Sequence, residues 1–142
     1  MIKIAHRGNI SGPSENENNP DYLVMAIVKG FDVEADIWIT DSGIFLGHDA
    51  PAYSIDESFL ESIAHKAWFH CKNVEALKYF IDKMPNARYF WHQEDDYALT
   101  SNCYIWTYPG KTVTNRSIVV LKEPSDLELY TGAYGVCTSY LI

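Results

Sequence analysis

Short runs rich in apolar, β-branched and aromatic residues recur from one end of the chain to the other, with helix signals between several of them. The runs are IKIA, FDVEADIWI, IFLGH, AWFHC, RYFWH, YIWTY, SIVVL and YGVCT. Each has the length and residue types that suit a pleated, buried or half-buried strand. In NNPDYLVMAIVKG, Asn19 is placed to cap a helix, Pro20 takes its first position, Asp21 its first turn, Lys29 its last turn and Gly30 its stop. Leu23, Ala26 and Ile27 form the buried stripe of that helix. SIDESFLESIA sets Ser54 and Glu57 at capping-box spacing, and PSDLELY repeats the device with Ser125 and Glu128. NVEALKYFIDKM starts at Asn73 and spaces Leu77, Phe80, Ile81 and Met84 helically. Strands alternating with helices require right-handed crossovers and a largely parallel sheet, so the expected class is α/β with mostly parallel strands and short helices. TDSGIF interrupts the alternation: Asp41, Ser42 and Gly43 make a tight turn that pairs residues 33–39 with 44–47 as a hairpin.

With 142 residues and no repeat, low-complexity tract or linker, the chain reads as a single domain over residues 1–142. Its hydrophobic content of 47% excludes a disordered chain, and a formal net charge of −8 opposes binding to nucleic acid or anionic membrane. No apolar run approaches the roughly 20 residues of a membrane span, and the N-terminus lacks the basic, apolar and small segments of a signal peptide. The expectation is a soluble, cytoplasmic chain. Cys71, Cys103 and Cys137 are odd in number, lack C-x-x-C spacing and sit in apolar surroundings, which predicts buried free thiols. His70 and Cys71 would point to opposite faces of a strand, which argues against a zinc site there.

In an α/β sheet or barrel the functional groups gather where strands exit into loops. IKIAHRG places His6 and Arg7 at such an exit, with Gly8 allowing a sharp turn beside them. In VEADIW, Glu34 and Asp36 share one face of a strand whose flanks mark it as internal. Two inward acids repel each other and are tolerable if the strand face is solvated or if a cation lies between them, and hard oxygen ligands suit Mg²⁺ or Ca²⁺. LGHDAP ends a run at His48 and Asp49, where Asp49 can orient the imidazole or bond the local backbone. FHCKN gives His70 and Lys72 the same spacing as the two acids, so both look into one pocket. WHQEDD reads as a strand end followed by a solvated helix start, with His92 undecided, and His65 as a polar position near a helix end. Two histidines, a carboxylate pair, an arginine and a lysine suit reaction at a phosphate ester: cations bind the anion while one imidazole removes a proton and the other supplies one. There is neither a phosphate-binding Gly-rich loop nor G-x-S-x-G.

The order HRG at 6–8, EN at 17–18, EAD at 34–36 and HD at 48–49 resembles the glycerophosphodiester phosphodiesterase family. These motifs cover the first third of the chain. Farther on, FHCKN falls where that family has E-x-K, and YIWTY and GVCTSY are faintly similar to its last two strands. The resemblance implies a TIM-type barrel, here small or pared down because the chain is far shorter than the roughly 250 residues of a typical one. It also implies a divalent metal, a small-molecule phosphodiester substrate, and attack on phosphorus by a neighbouring substrate hydroxyl to give a cyclic phosphate. By position, His6 and His48 are then catalytic, and Glu34, Asp36 and His70 are metal ligands. Arg7, Lys72 and Glu17 are substrate-binding, with Glu17 steadying the site from the first loop. His70 replaces an acidic ligand and softens the site, reducing its preference for Ca²⁺; Ser139 stands where the family usually has Asp. The alternative is a weak or inactive binding module that holds a divalent metal and a phosphorylated ligand.

Overall fold

The computed structural model describes residues 1–124 and 129–142, so the Ser125–Glu128 helix signal lies outside the described residues. Strand β1 (Ile2–His6) leads through a loop to helix α1 (Pro20–Val28) and on to β2 (Asp32–Thr40). A hairpin excursion follows, β3 (Gly43–Leu46) and β4 (Tyr53–Ile55), then α2 (Glu57–Ile63), β5 (Ala67–Cys71), α3 (Val74–Lys83) and β6 (Arg88–Trp91). The rest of the chain adds β7 (Tyr97–Leu99), β8 (Ile105–Thr107), β9 (Ser117–Leu121) and β10 (Gly135–Thr138).

Seven strands run parallel in the spatial order β6, β5, β2, β1, β10, β9, β8. The first strand of the chain therefore pairs with the last, as it must when a sheet curls towards a barrel. The curl does not close. β7 runs antiparallel along the free edge of β8, and among the described residues no ladder joins β6 to β7. Ser101 stitches that seam: its N–H donates to the Tyr89 carbonyl at 2.8 Å, its hydroxyl donates to the Ala87 carbonyl at 2.9 Å, and its Oγ accepts the Tyr89 N–H at 2.9 Å.

The pared-down barrel expected from the sequence is thus corrected to a curled mixed sheet, an incomplete barrel. The chain between β6 and β8 is spent on a short antiparallel strand instead of a helix and a further parallel one. One of the eight β-like runs, residues 44–48, turns back on β2 as the anticipated hairpin and so never joins the parallel set. The three helices described, α1 to α3, all fall between β1 and β6.

Helix starts follow local chemistry. Asn19 Oδ1 accepts the Asp21 N–H at 2.9 Å with Pro20 at the first helical position, and Asn73 Oδ1 accepts the Ala76 N–H at 3.0 Å. For α2 the cap is Asp56, accepting from Phe59 at 2.9 Å, and not Ser54, whose backbone pairs with Phe45 in the hairpin. Alternation along the strands splits the apolar residues into two sets. Ala5, Val33, Ala35, Ile37, Phe69 and Cys71 pack outward against Leu23 and Ala26 of α1, Leu60 of α2, and Ala76 and Phe80 of α3. Ile81, which shares the helical spacing of Leu77, Phe80 and Met84, is exposed. Ile4, Trp68, Phe90, Trp106, Ile118 and Cys137 point into the curl and fill it. Phe90 and Trp106 stack at 4.4 Å.

The lower end is sealed by a buried Asp32, which accepts Trp68 Nε1 at 3.0 Å and Arg88 Nη1 at 3.3 Å. The upper end, where the parallel strands exit, stays open. Cys71 and Cys137 are buried free thiols, and burial pushes Cys71 up to about 12. Cys103 departs from expectation and is exposed. No helix among the described residues is long and apolar enough to cross a membrane.

Candidate active site

The strand exits ring a cavity of about 930 Å³. His6 is the last residue of β1, Lys72 the first after β5, His92 the first after β6, Tyr108 the first after β8 and Lys122 the first after β9. Glu34 and Asp36 of β2, His70 of β5, and the loop residues Arg7 and His48 line the same cavity. The sequence-predicted His6, Arg7, Glu34, Asp36, His48, His70 and Lys72 therefore face one space. Glu17 does not line it.

Two glycines make the turns that this arrangement needs. Gly8 has φ +87°, and a Cβ there would lie 2.9 Å from the Tyr22 ring. At Gly47 a Cβ would run into the Ala50 carbonyl oxygen. The Gly47 carbonyl also accepts Trp38 Nε1 at 2.7 Å, which anchors the loop carrying His48.

Glu34 and Asp36 are buried, at 2% and 0% exposure. Asn18 clasps Asp36 from two sides: its Nδ2 donates to Oδ2 at 2.9 Å, and its Oδ1 accepts the Asp36 N–H at 3.0 Å. Arg7 Nε lies 3.7 Å from Asp36 Oδ2, and the Arg7 N–H donates to Glu34 Oε1 at 3.2 Å. His70 faces both acids, its Nδ1 lying 3.1 Å from Asp36 Oδ1 and 3.5 Å from Glu34 Oε2. Its Nε2 donates to the His92 carbonyl at 2.9 Å. That bond fixes the ring so that Nδ1 is the nitrogen presented to the carboxylates, the arrangement metal-ligating histidines use.

The donor set of Glu34, Asp36 and His70 fits a cation, because one ligand atom from each lies within 4.8 Å of the others. Asp36 Oδ1 is buried with His70 Nδ1 as its neighbour at 3.1 Å, and whenever that nitrogen is unprotonated the oxygen has no hydrogen-bond donor, as an oxygen open to a cation would be. Without an ion, a proton on His70 takes over the neutralising role. Burial opposes that proton, but hydrogen bonds and charge from Asp36 and Glu34 outweigh it and raise His70 to about 9. Burial likewise opposes ionisation of Asp36, yet His70, Asn18 and Arg7 hold it well below the usual carboxylate range.

A pH dependence follows. His70 has a folded-state value of about 9 against an ordinary 6.5, so its proton stabilises the metal-free fold fully below pH 6.5, and that contribution is lost as pH rises through 9. A cation must displace the same proton. Affinity for a divalent cation is therefore expected to rise about tenfold per pH unit between 6.5 and 9 and then level off, with one proton released per ion. Calorimetry in buffers of differing ionisation enthalpy reads this directly, and an affinity flat across that range would count against His70 as a ligand.

The two predicted catalytic histidines stand in different surroundings. Burial, helped by Arg7 and opposed by Glu34 at 4.0 Å, lowers His6, leaving a neutral imidazole near pH 7. His48 is more open and holds Asp49 Oδ1 at 2.7 Å from Nδ1. The carboxylate fixes the proton on Nδ1 and frees Nε2. Arg7 adopts φ +56° and donates from Nη1 to Glu17 Oε1 at 2.9 Å. Glu17 is thus occupied by protein partners, and hydrogen bonds from Asn9, Arg7 and Ser14 overcome its burial to keep it ionised.

Residues 92–96 form a loop and not the helix start expected of them; Gln93, Glu94 and Asp95 line the cavity rim. Trp106, Tyr108, Val120 and Lys122 form the facing wall, with Lys122 Nζ 3.1 Å from Tyr108 Oη. Sequence reasoning did not single out these residues, although each lies at the inward parity of a recognised strand.

No family model matches the chain, and no curated protein matches it in sequence. Among solved structures it is similar to a glycerophosphodiester phosphodiesterase from Parabacteroides distasonis, with a TM-score of 0.53 over 97% of this chain and 92% of that one. Their sequences are 13% identical, so what the two share is the fold.

Proposed function

We propose that the chain is a divalent-metal-dependent phosphodiesterase acting on glycerophosphodiester-type substrates. The observation that carries this reading is the single cavity in which His6, His48, Arg7 and Lys72 surround the Glu34–Asp36–His70 cluster. The fold shared with a glycerophosphodiester phosphodiesterase supports it, as do the four motifs in order along the first third of the sequence.

Arg7 and Lys72 contact the phosphoryl oxygens and offset the charge that builds on them. A divalent ion on Glu34, Asp36 and His70, with Mg²⁺ or Ca²⁺ favoured by the two carboxylates, supplies further positive charge at the phosphate. His6, neutral by burial, takes the proton from a substrate hydroxyl beside the phosphate. That oxygen bonds to phosphorus as the bond to the departing alcohol breaks. His48 enters the step as the imidazolium, its Nδ1–H held by Asp49, gives the second proton, on Nε2, to the leaving oxygen and is left neutral. The products are a free alcohol and a cyclic phosphate, which water can then open.

The test presents glycerophosphodiesters and lysophospholipids to the metal-loaded protein and follows released alcohol and cyclic phosphate. Metal-dependent release supports the reading. Tight, metal-dependent binding of a phosphorylated ligand without turnover would replace it with the binding module.

A further inference from the structure

Behind Arg7, outside the cavity, lies a polar cluster that the proposed chemistry leaves unused. Asn9 is fully buried at 0% exposure. Its Nδ2 donates to Glu17 Oε2 at 3.0 Å and to Ser139 Oγ at 3.2 Å, while its Oδ1 accepts Tyr22 Oη at 3.0 Å. Glu17 Oε2 also accepts the Ser14 N–H at 3.3 Å, and Oε1 receives Arg7 Nη1 at 2.9 Å. Of these residues only Arg7 lines the cavity.

The cluster joins three parts of the fold: the loop after β1, helix α1 through Tyr22, and the exit of β10 through Ser139. A buried amide with both donors and its acceptor engaged is rigid, and it fixes the groups bonded to it. A free arginine would spread over many rotamers, whereas a guanidinium tied at Nη1 to a fixed carboxylate presents its remaining donors in one orientation. The backbone of Arg7 is also held in the left-handed region, at φ +56°, a strain that surrounding contacts must sustain.

We propose that Asn9, Tyr22 and Ser139 are positioning residues that hold Glu17, and through it orient the Arg7 guanidinium to receive a phosphoryl oxygen. This rests on the reading of Arg7 as a phosphate contact. Glu17 then serves as the clamp and not as a substrate ligand.

Tyr22→Phe removes one hydroxyl and keeps the ring that packs beside Gly8, so it tests the clamp with little risk to the fold. Asn9→Ala is the larger cut. The readout is the affinity of Mg²⁺-loaded protein for glycerol 3-phosphate by calorimetry, with KM for a diester measured beside it. Tyr22→Phe is expected to weaken glycerol 3-phosphate binding about three- to tenfold and Asn9→Ala about tenfold or more, with Mg²⁺ affinity unchanged. In an Arg7→Gln background the same changes should have almost no further effect, because the residues act through the arginine. Equal losses with and without Arg7, or no loss from Tyr22→Phe in a folded protein, overturn the proposal. So does wild-type protein that binds no glycerol 3-phosphate. Coupled binding losses in a protein that turns over no diester would uphold the clamp and reject the phosphodiesterase reading.

Discussion

Replacing His6 or His48 with Ala is expected to lower diester turnover by about 10² to 10⁴ while leaving Mg²⁺ affinity nearly intact. Neither histidine belongs to the Glu34–Asp36–His70 cluster, so the variants separate proton transfer from metal binding. The two should not behave identically towards pH. His6 must be neutral to accept a proton, and burial lowers it from 6.5, so the acidic limb of kcat/KM is expected below pH 6.5 and should vanish in His6→Ala. Losses from Arg7→Gln and Lys72→Gln differ in kind: they remove charge from the phosphate site, raising KM as well as lowering kcat. Steady-state kinetics across pH distinguishes these patterns. Turnover that survives in both His→Ala variants rejects the assigned acid and base.

The second large effect concerns the carboxylates. Outer partners of metal ligands already contribute tenfold to a hundredfold in affinity, so Glu34→Gln or Asp36→Asn, which alter ligands themselves, should weaken Mg²⁺ binding by about 10² or more. Asp36→Asn has a further consequence. Its carboxylate is fully buried and faces Arg7 at 3.7 Å and His70 at 3.1 Å, and breaking a buried pair from one side costs about 3–5 kcal/mol. Glu34→Gln keeps the Asp36 contacts and is the cleaner probe. Thermal denaturation should show added Mg²⁺ raising the Tm of the wild type and not that of Glu34→Gln. Equal shifts in both would place the ion elsewhere.

Much of this arrangement is written in residues 1–49, and the reason is parity. Inside-out alternation on β2 puts Glu34 and Asp36 on the face opposite Val33, Ala35 and Ile37, and the turn at residues 41–43 forces the hairpin that returns His48 to the mouth. The far wall was harder to read. His92, Tyr108 and Lys122 sit one residue past their strands, but which strand exits face the acids depends on the curl of the sheet, a long-range property. β4 and β7 have only three residues each, too few for a periodic signal. β7 in turn decides that the barrel stays open. Ile81 matched the helical spacing of α3 but is exposed, since spacing alone does not say how wide a face the helix buries. Asn9, beside the motif HRG, gave no sign of its role because its partners Glu17, Tyr22 and Ser139 come from three separate places in the chain.

The central claim is that this cavity uses a bound metal and a histidine pair to drive a substrate hydroxyl onto phosphorus. Phosphorus NMR of Mg²⁺-loaded protein with two diesters tests it most directly: one carries a hydroxyl beside the phosphate, and the other has that hydroxyl replaced by hydrogen. The account predicts a cyclic phosphate signal from the first diester alone, lost on chelation and in His6→Ala. Equal cleavage of both diesters, or a protein that binds the first in the presence of Mg²⁺ and never cleaves it, would contradict the account.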